Sequence, residues 1–437
     1  MMHTAVIGGG PMGLATAMEL ARSGMRVTLF EADDVLGGMS ASFDFDGVQI
    51  ERFYHFINRP DVSLFELLRE LGLENDLHWT PTRMGLFRPP PQSGPSQARL
   101  LPWDGPLALL RFPDASLFTR LRYGMHVLLC KHLRDLNALD DISAKDWICR
   151  WQGKESYDLL WRFLFEKKFF EYADPLSAAW IAARVHRAAR SRSGFQQEQL
   201  GYLTGGTQSL LERMAAAITE HGGSIRLSTP VEKVLPSENG SIAVRTVEKE
   251  ETFDALVSTI PLPYIAKIMP GLPEKYLDRI KAMRNVGCAC VLVRLQRPLT
   301  PYFWLNTAVQ DWHVPGIIEY SNLRPMEATY VYVPFYMPHS HANWKADDQT
   351  LLNTAHAYLR AINADAARTA DAARVFRYEW AQPVCPPGAA GLIPDYATGV
   401  DNIWVADTTH SFPQDRSINE SVRIGRELAQ RALRARS

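Results

Sequence analysis

Near the carboxyl end, FPQDRSINESVRIG (Phe412 to Gly425) gathers Pro413, Asp415, Arg416, Ser417 and Asn419 immediately before a helix-forming stretch. A cation beside a helix start, where backbone N–H groups lack partners and the dipole is positive, suits a place where negative charge develops on a bound group. Ser417 has a capping side chain, and Pro413 fixes the approach to it. Two other clusters hold residue types able to do acid–base chemistry. GVQIERFYHFI brings together Arg52, Tyr54 and His55, and His55, lying between aromatics, is either a proton carrier or a hydrogen-bonded core histidine. PGIIEYSNLRP places Glu319 and Asn322 at the end of an apolar strand. A carboxylate buried in a cleft there has a raised pKa and can accept a proton from an amine or hydroxyl; the competing reading pairs Glu319 with Arg324 in a turn.

These groups need a scaffold, and the first forty residues predict one. HTAVIGGGPMGLATAMELARSGMRVTLFEA opens with a short apolar run at Thr4 to Ile7, as a buried parallel strand does. Gly8, Gly10 and Gly13 follow at G-x-G-x-x-G spacing, with Pro11 and Met12 opening a helix that Gly24 ends. RVTLF is the second strand, closed by Glu31 and Ala32. Gly8 makes the turn, Gly10 lets backbone approach a pyrophosphate, and Gly13 allows close packing of helix on strand. Glu31 accepts ribose hydroxyls and would repel a 2′-phosphate, so the pattern predicts FAD or NAD and not NADP.

DVLGGMS, Asp34 to Ser40, carries Gly37 and Gly38 shortly after the acid. This pair resembles the second fingerprint of the flavin amine oxidase and protoporphyrinogen oxidase superfamily, and it points to FAD. The family commonly has Arg after the pair; Met39 and Ser40 stand there instead. GYLTGGTQSLLERMAAAITEHGGSIRLSTPVEKV is similar to the family's middle block, which implies that the segment at Val231 passes the adenine and that DALVSTIPLP returns a strand to the nucleotide domain. In NIWVADTTHSF, Asp407 stands where the family often has Glu. The resemblance implies that its loop meets the FAD pyrophosphate and that the next helix, at Arg416, Ser417 and Ile418, points its start at flavin N1 and the C2 carbonyl. The lysine that many amine oxidases hold near flavin N5 falls on Cys288 or Ala289 here. Cys385 lies where some members attach flavin covalently, but its spacing and Pro386–Pro387 do not match, so non-covalent FAD is expected.

The bounds agree with this frame. The 437 residues are 46% hydrophobic with a formal charge of -1, which gives no attraction to nucleic acid. No run approaches the roughly 18 apolar residues of a membrane span, and five cysteines without a C-x-x-C pair predict reduced thiols and no metal site. The cytoplasm is the default compartment. Pro89–Pro90–Pro91 and SGPSQ read as a breaker-rich loop, and 107–192 as an inserted helical part. Within it LFTRLRYGMHVLLCKHLRDL reads as a packed amphipathic helix with a solvated basic face, so membrane association is not expected. Strand patterns occupy 284–338.

The expected fold is α/β: a doubly wound Rossmann-like FAD domain assembled from discontinuous segments (1–80, 196–262, 385–437) and a mixed sheet and helical substrate domain (81–195, 263–384). The resemblance implies an FAD-dependent oxidase or dehydrogenase that takes hydride from a C–N or C–C/C–O centre of a small to medium substrate, with dioxygen or another electron acceptor as partner. Two alternatives stand beside it: a nucleotide-sugar mutase resembling UDP-galactopyranose mutase, and a non-catalytic FAD-stabilised binding protein.

Overall fold

In the computed structural model, residues 2–88, 99–103, 108, 112, 114–191, 198–237 and 240–435 are described. The apolar run at Thr4 becomes the strand His3–Ile7, the centre of a five-stranded sheet in the order 403–405, 255–258, 3–7, 26–30, 224–226. Every pairing is parallel, with Val6 opposite both Val257 and Leu29. A parallel sheet of this kind must be covered on both faces, which is why its strands read as continuous apolar runs. One face packs the helices Pro11–Arg22, Gly206–Glu220 and Ile418–Arg434 through Leu14, Met18, Leu210, Met214, Ile424 and Leu428. The other is covered by a three-stranded antiparallel sheet (231–236, 242–246, 250–253) and the helices Leu262–Ile268 and Glu274–Ala282. The first and last helices nearly touch. A Cβ on Gly425 would meet the Met12 carbonyl oxygen at 2.4 Å, and the Thr16 hydroxyl donates to Gly425 O at 3.0 Å.

Two strands, 84–88 and 99–102, and five more between 284 and 384 build a seven-stranded sheet, ordered 370–384, 284–295, 329–337, 316–319, 304–307, 84–88, 99–102. Side chains alternate across the strand Arg284–Leu295, as a period of two demands. Ala289, Val291 and Val293 join the core under the helix Asp348–Ile362, whereas Cys288, Cys290 and Leu292 face the helical insertion. The two cysteines thus share a buried face. The strands Met84–Arg88, Arg99–Pro102 and Ala370–Val384 were not anticipated from sequence; the first two flank the proline-rich stretch, and the expected loop at Pro89–Pro91 and 93–97 lies outside the described residues.

The insertion supplies the helices Leu117–Lys131, Ala144–Gln152, Arg162–Phe169 and Ala178–Arg190. The first departs from expectation. Its buried side is small, being Thr119, His126 and Cys130, and its large apolar side chains are exposed, because no described element covers that face. No helix among the described residues is long and apolar enough to cross a membrane, and no group of His, Cys, Asp and Glu among them could hold a metal.

Candidate active site

A cavity of about 640 Å³ runs from the first glycine loop to the seven-stranded sheet. At the nucleotide-domain end its wall includes Gly8, Gly10, Pro11 and Met12, then Glu31 and Ala32, then Gly37, Gly38 and Met39, with Val231 opposite. Glu31 locks the loops together: Oε2 accepts from Gly9 N at 2.6 Å and Oε1 from Asp33 N at 2.8 Å. Gly37 N donates to Gly9 O at 2.9 Å, so the two glycine loops face each other. The helix Pro11–Arg22 has no side-chain cap, which leaves its positive end to whatever occupies the cavity. Gly13 is not in the wall. A Cβ there would meet Gly8 O at 1.9 Å and Thr259 Oγ1 at 2.7 Å, so its role is packing of helix on strand.

Further along, the start of the helix Ile418–Arg434 closes the wall with Arg416, Ser417 and Ile418. Ser417 Oγ accepts from Glu420 N at 3.2 Å, a regular cap. The residues on either side of it bind three other parts of the chain. Asp415 pairs with Arg184 at 2.5 Å and accepts from Trp180 Nε1 at 3.3 Å, both on the inserted helix Ala178–Arg190; Arg416 Nη2 donates to the Tyr336 hydroxyl at 3.0 Å; Asn419 Oδ1 accepts from Leu64 N at 3.1 Å. Burial opposes ionisation of Asp415, but Arg184, Lys168 and Arg416 outweigh it and hold the carboxyl well below its usual range. Asp407 is in the wall, though both its oxygens are used within the protein, Oδ1 by Thr409 N and Oδ2 by Leu262 N.

The far end is aromatic. Tyr54 stands edge-on to Trp304 at 5.6 Å between centroids, and its hydroxyl is 3.4 Å from that of Tyr336. Phe376, Tyr378 and Trp380, on the long strand Ala370–Val384, complete this part of the wall. His55 lies nearby with Nδ1 2.8 Å from Phe53 O and Nε2 3.4 Å from Ser40 Oγ. Burial pulls its pKa below the usual imidazole range, the Glu51 carboxylate opposing and Arg416 adding to the shift. Lys168 was not singled out from the sequence. It is buried, lines the cavity, and sets its Nζ 5.1, 5.3 and 5.5 Å from the ring centroids of Tyr336, Trp180 and Phe169. Burial drives its pKa well below the lysine range, Asp415 opposing and Arg184 and Arg416 reinforcing.

Glu319 and Asn322 are placed elsewhere. Neither lines the cavity. Glu319 is buried and points into the turn at Leu299–Thr300, accepting from Leu299 N at 2.9 Å, Thr300 N at 2.7 Å and the Thr300 hydroxyl at 3.0 Å. Burial pushes its pKa up to about 7 against those hydrogen bonds. Asn322 Nδ2 donates to Thr300 O and Tyr302 O at 3.0 Å each. The pair fastens a turn. Arg324 is not the partner of Glu319; it donates to Gln49 O and Thr204 O.

The chain matches the family described as flavin containing amine oxidoreductases over residues 13–433. It belongs to this family. Among curated relatives, it is 28% identical over 287 residues to a 15-cis-phytoene desaturase of Capsicum annuum, a match covering 62% of this chain and 48%, about half, of the relative's length. A carotenoid phi-ring synthase of Streptomyces griseus is 26% identical over 403 residues, 84% of this chain and 72% of that one. The fold is shared with a structure from Exiguobacterium sp. 255-15 described as a protoporphyrinogen oxidase, with a TM-score of 0.76, 98% of both chains covered and 16% identity.

The cavity fits the flavin that the family implies on two observations. A Cβ on Gly10 would project into open space, with only Gly37 O near at 3.9 Å, so the missing side chain keeps room beside the uncapped helix end. Arg416 Nε is buried in the wall without a partner, a donor left for a group the protein itself does not provide. Lys168 escaped the sequence reading because Lys167 and Lys168 are adjacent, and only the fold turns one of them inward.

Proposed function

We propose that this chain is an FAD-dependent oxidoreductase that takes hydride from a carbon centre of an uncharged organic substrate. The observation that carries this reading is the single cavity joining a dinucleotide-type loop pair to an aromatic chamber. Bound FAD would supply the hydride acceptor. The chain's own residues do the rest. Glu31 meets the ribose, the glycine loops and the uncapped helix end meet the pyrophosphate, and Val231 flanks the adenine. Arg416 and the start of the last helix offset negative charge at the reduced ring. Tyr54, Trp304, Tyr336 and Tyr378 exclude water and orient the substrate, and Lys168 and His55 are the groups placed to take up a proton. FAD is held non-covalently, since Cys385 is buried away from the wall and no cysteine among the described residues lines it. The domain division expected from the sequence shifts at one boundary: the helices Leu262–Ile268 and Glu274–Ala282 pack on the five-stranded sheet, so the nucleotide part takes 1–80, 196–283 and 385–437, and the substrate part 81–195 and 284–384.

Charge narrows the substrate. The Arg184 and Arg416 guanidinium groups meet around one carboxylate, Asp415, which Arg184 already occupies. A substrate ammonium entering there is repelled, whereas a C–C bond of an apolar molecule is not. The names of the phytoene desaturase and carotenoid ring synthase relatives support the same choice. Anaerobic mixing of the purified holoprotein with polyenes, tetrapyrroles and alkylamines, followed by flavin absorbance, tests it. Bleaching by a polyene or tetrapyrrole is expected. Bleaching by amines alone would refute the reading, and turnover of a nucleotide-sugar only after dithionite reduction would replace it with the mutase reaction.

A further inference from the structure

The helix Leu117–Lys131 leaves Leu117 64%, Phe118 68%, Leu121 57%, Met125 51%, Leu128 64% and Leu129 43% exposed. At about 100° per residue these six fall within one arc of about 120°. A soluble surface does not ordinarily gather so many large apolar side chains on one stripe, so the arc has a partner. Its borders say which. Arg122 lies at one edge, and Arg120 and Lys131 at the other, and the helix carries no acidic residue at all. Arg122 is held in place by hydrogen bonds to Trp151 O at 2.8 Å and Arg150 O at 2.5 Å. Trp151, 39% exposed, stacks on His126 and widens the apolar strip beside that arginine.

We propose that this face docks on an anionic lipid bilayer, with the helix lying in the plane of the interface. The apolar arc enters the acyl boundary, Lys131 on one side and the anchored Arg122 on the other present positive charge to the lipid phosphates, and Trp151 sits at headgroup depth. A protein partner would need acidic groups matched to both borders, whereas a bilayer with anionic headgroups offers them along any direction. The inference is independent of the reaction proposed above, because it uses no residue of the cavity.

The test is sedimentation of the holoprotein with phosphatidylcholine vesicles with and without phosphatidylserine. The protein should pellet with the mixed vesicles, less so at high salt, and Leu121→Glu/Leu128→Glu should lower partitioning at least about tenfold while keeping bound flavin and the thermal transition. Lys131→Gln should reduce the preference for the anionic vesicles a few-fold. A protein that stays in the supernatant with both vesicle types overturns the proposal. So does a wild-type dimer in light scattering that the double variant converts to a monomer, since a second copy would then cover the face.

Discussion

The Arg416 guanidinium donates to the Tyr336 hydroxyl at 3.0 Å, and that hydroxyl lies 3.4 Å from the one on Tyr54. The charge at the start of the last helix is therefore positioned by the seven-stranded sheet as well as by its own helix. Arg416→Ala should keep the protein yellow, lower the flavin potential and weaken sulfite binding to the holoprotein about tenfold or more, with Arg416→Lys recovering part of both. Sulfite titration and dye-coupled potential measurements check this; unchanged values would leave only the helix end in the role.

Two glycines of the first loop should fail differently. Gly10→Ala adds a methyl group where the protein has space, so the chain should fold with near-normal secondary structure and lose most of its flavin. Gly13→Ala puts Cβ against Gly8 O and Thr259, and should yield insoluble or strongly destabilised protein. Circular dichroism with flavin content after gel filtration separates the two outcomes.

Asp415 has a pKa held below its unfolded value, so its contribution to stability is complete above the usual carboxylate range and is lost as pH falls through the depressed folded value. Asp415→Asn should cost on the order of 2–3 kcal/mol near neutral pH, less than the cost of breaking a fully buried pair because both side chains keep some exposure. The gap between wild type and variant should shrink below about pH 4. A gap of constant size across the acid range in urea denaturation would contradict the ion-pair account.

Glu319 should matter to stability and not to turnover. Glu319→Ala strands two backbone N–H groups at Leu299 and Thr300, at about 1–3 kcal/mol for each buried donor left unpaired. Flavin retention and the rate constant of anaerobic flavin reduction should stay within about twofold of wild type, since the residue does not touch the cavity. A large fall in that rate with normal stability would return Glu319 to the site.

Lys168→Met should retain flavin but slow its reduction. The wild-type rate should rise with pH through the lowered lysine pKa, as the neutral amine becomes available, and the variant should lack that limb. A pH profile that is superimposable in the two proteins would make Lys168 a packing residue.

How much of this could be read from the sequence follows from how local each signal is. The first βαβ unit was legible because its turn, helix start and acid lie within some thirty consecutive residues and each has one physical explanation. The capped start at Ser417 was legible for the same reason. Glu319 misled because a strand end does open toward clefts in general, and only the turn at Leu299–Thr300, distant in sequence, decides which way its carboxylate faces. The Asp415–Arg184 pair and the inward turn of Lys168 depend on the packing of the inserted helices, which no local pattern encodes. For the helix Leu117–Lys131 the helical period gave an apolar arc but could not say whether another element covers it.

The order of the five-stranded sheet also governs when the protein can mature during synthesis. Its middle strand, His3–Ile7, precedes the other four in the chain, yet its neighbour Ala255–Ser258 follows only after the helical insertion and the edge strand Ile403–Val405 only after the whole seven-stranded sheet. Until then Val6 and Leu29 lie in an unfinished sheet with open hydrogen-bonding edges, the kind of surface that chaperones engage. The nucleotide-end wall is consequently completed late for this topology, because the helix carrying Ser417 and Ile418 follows the last strand.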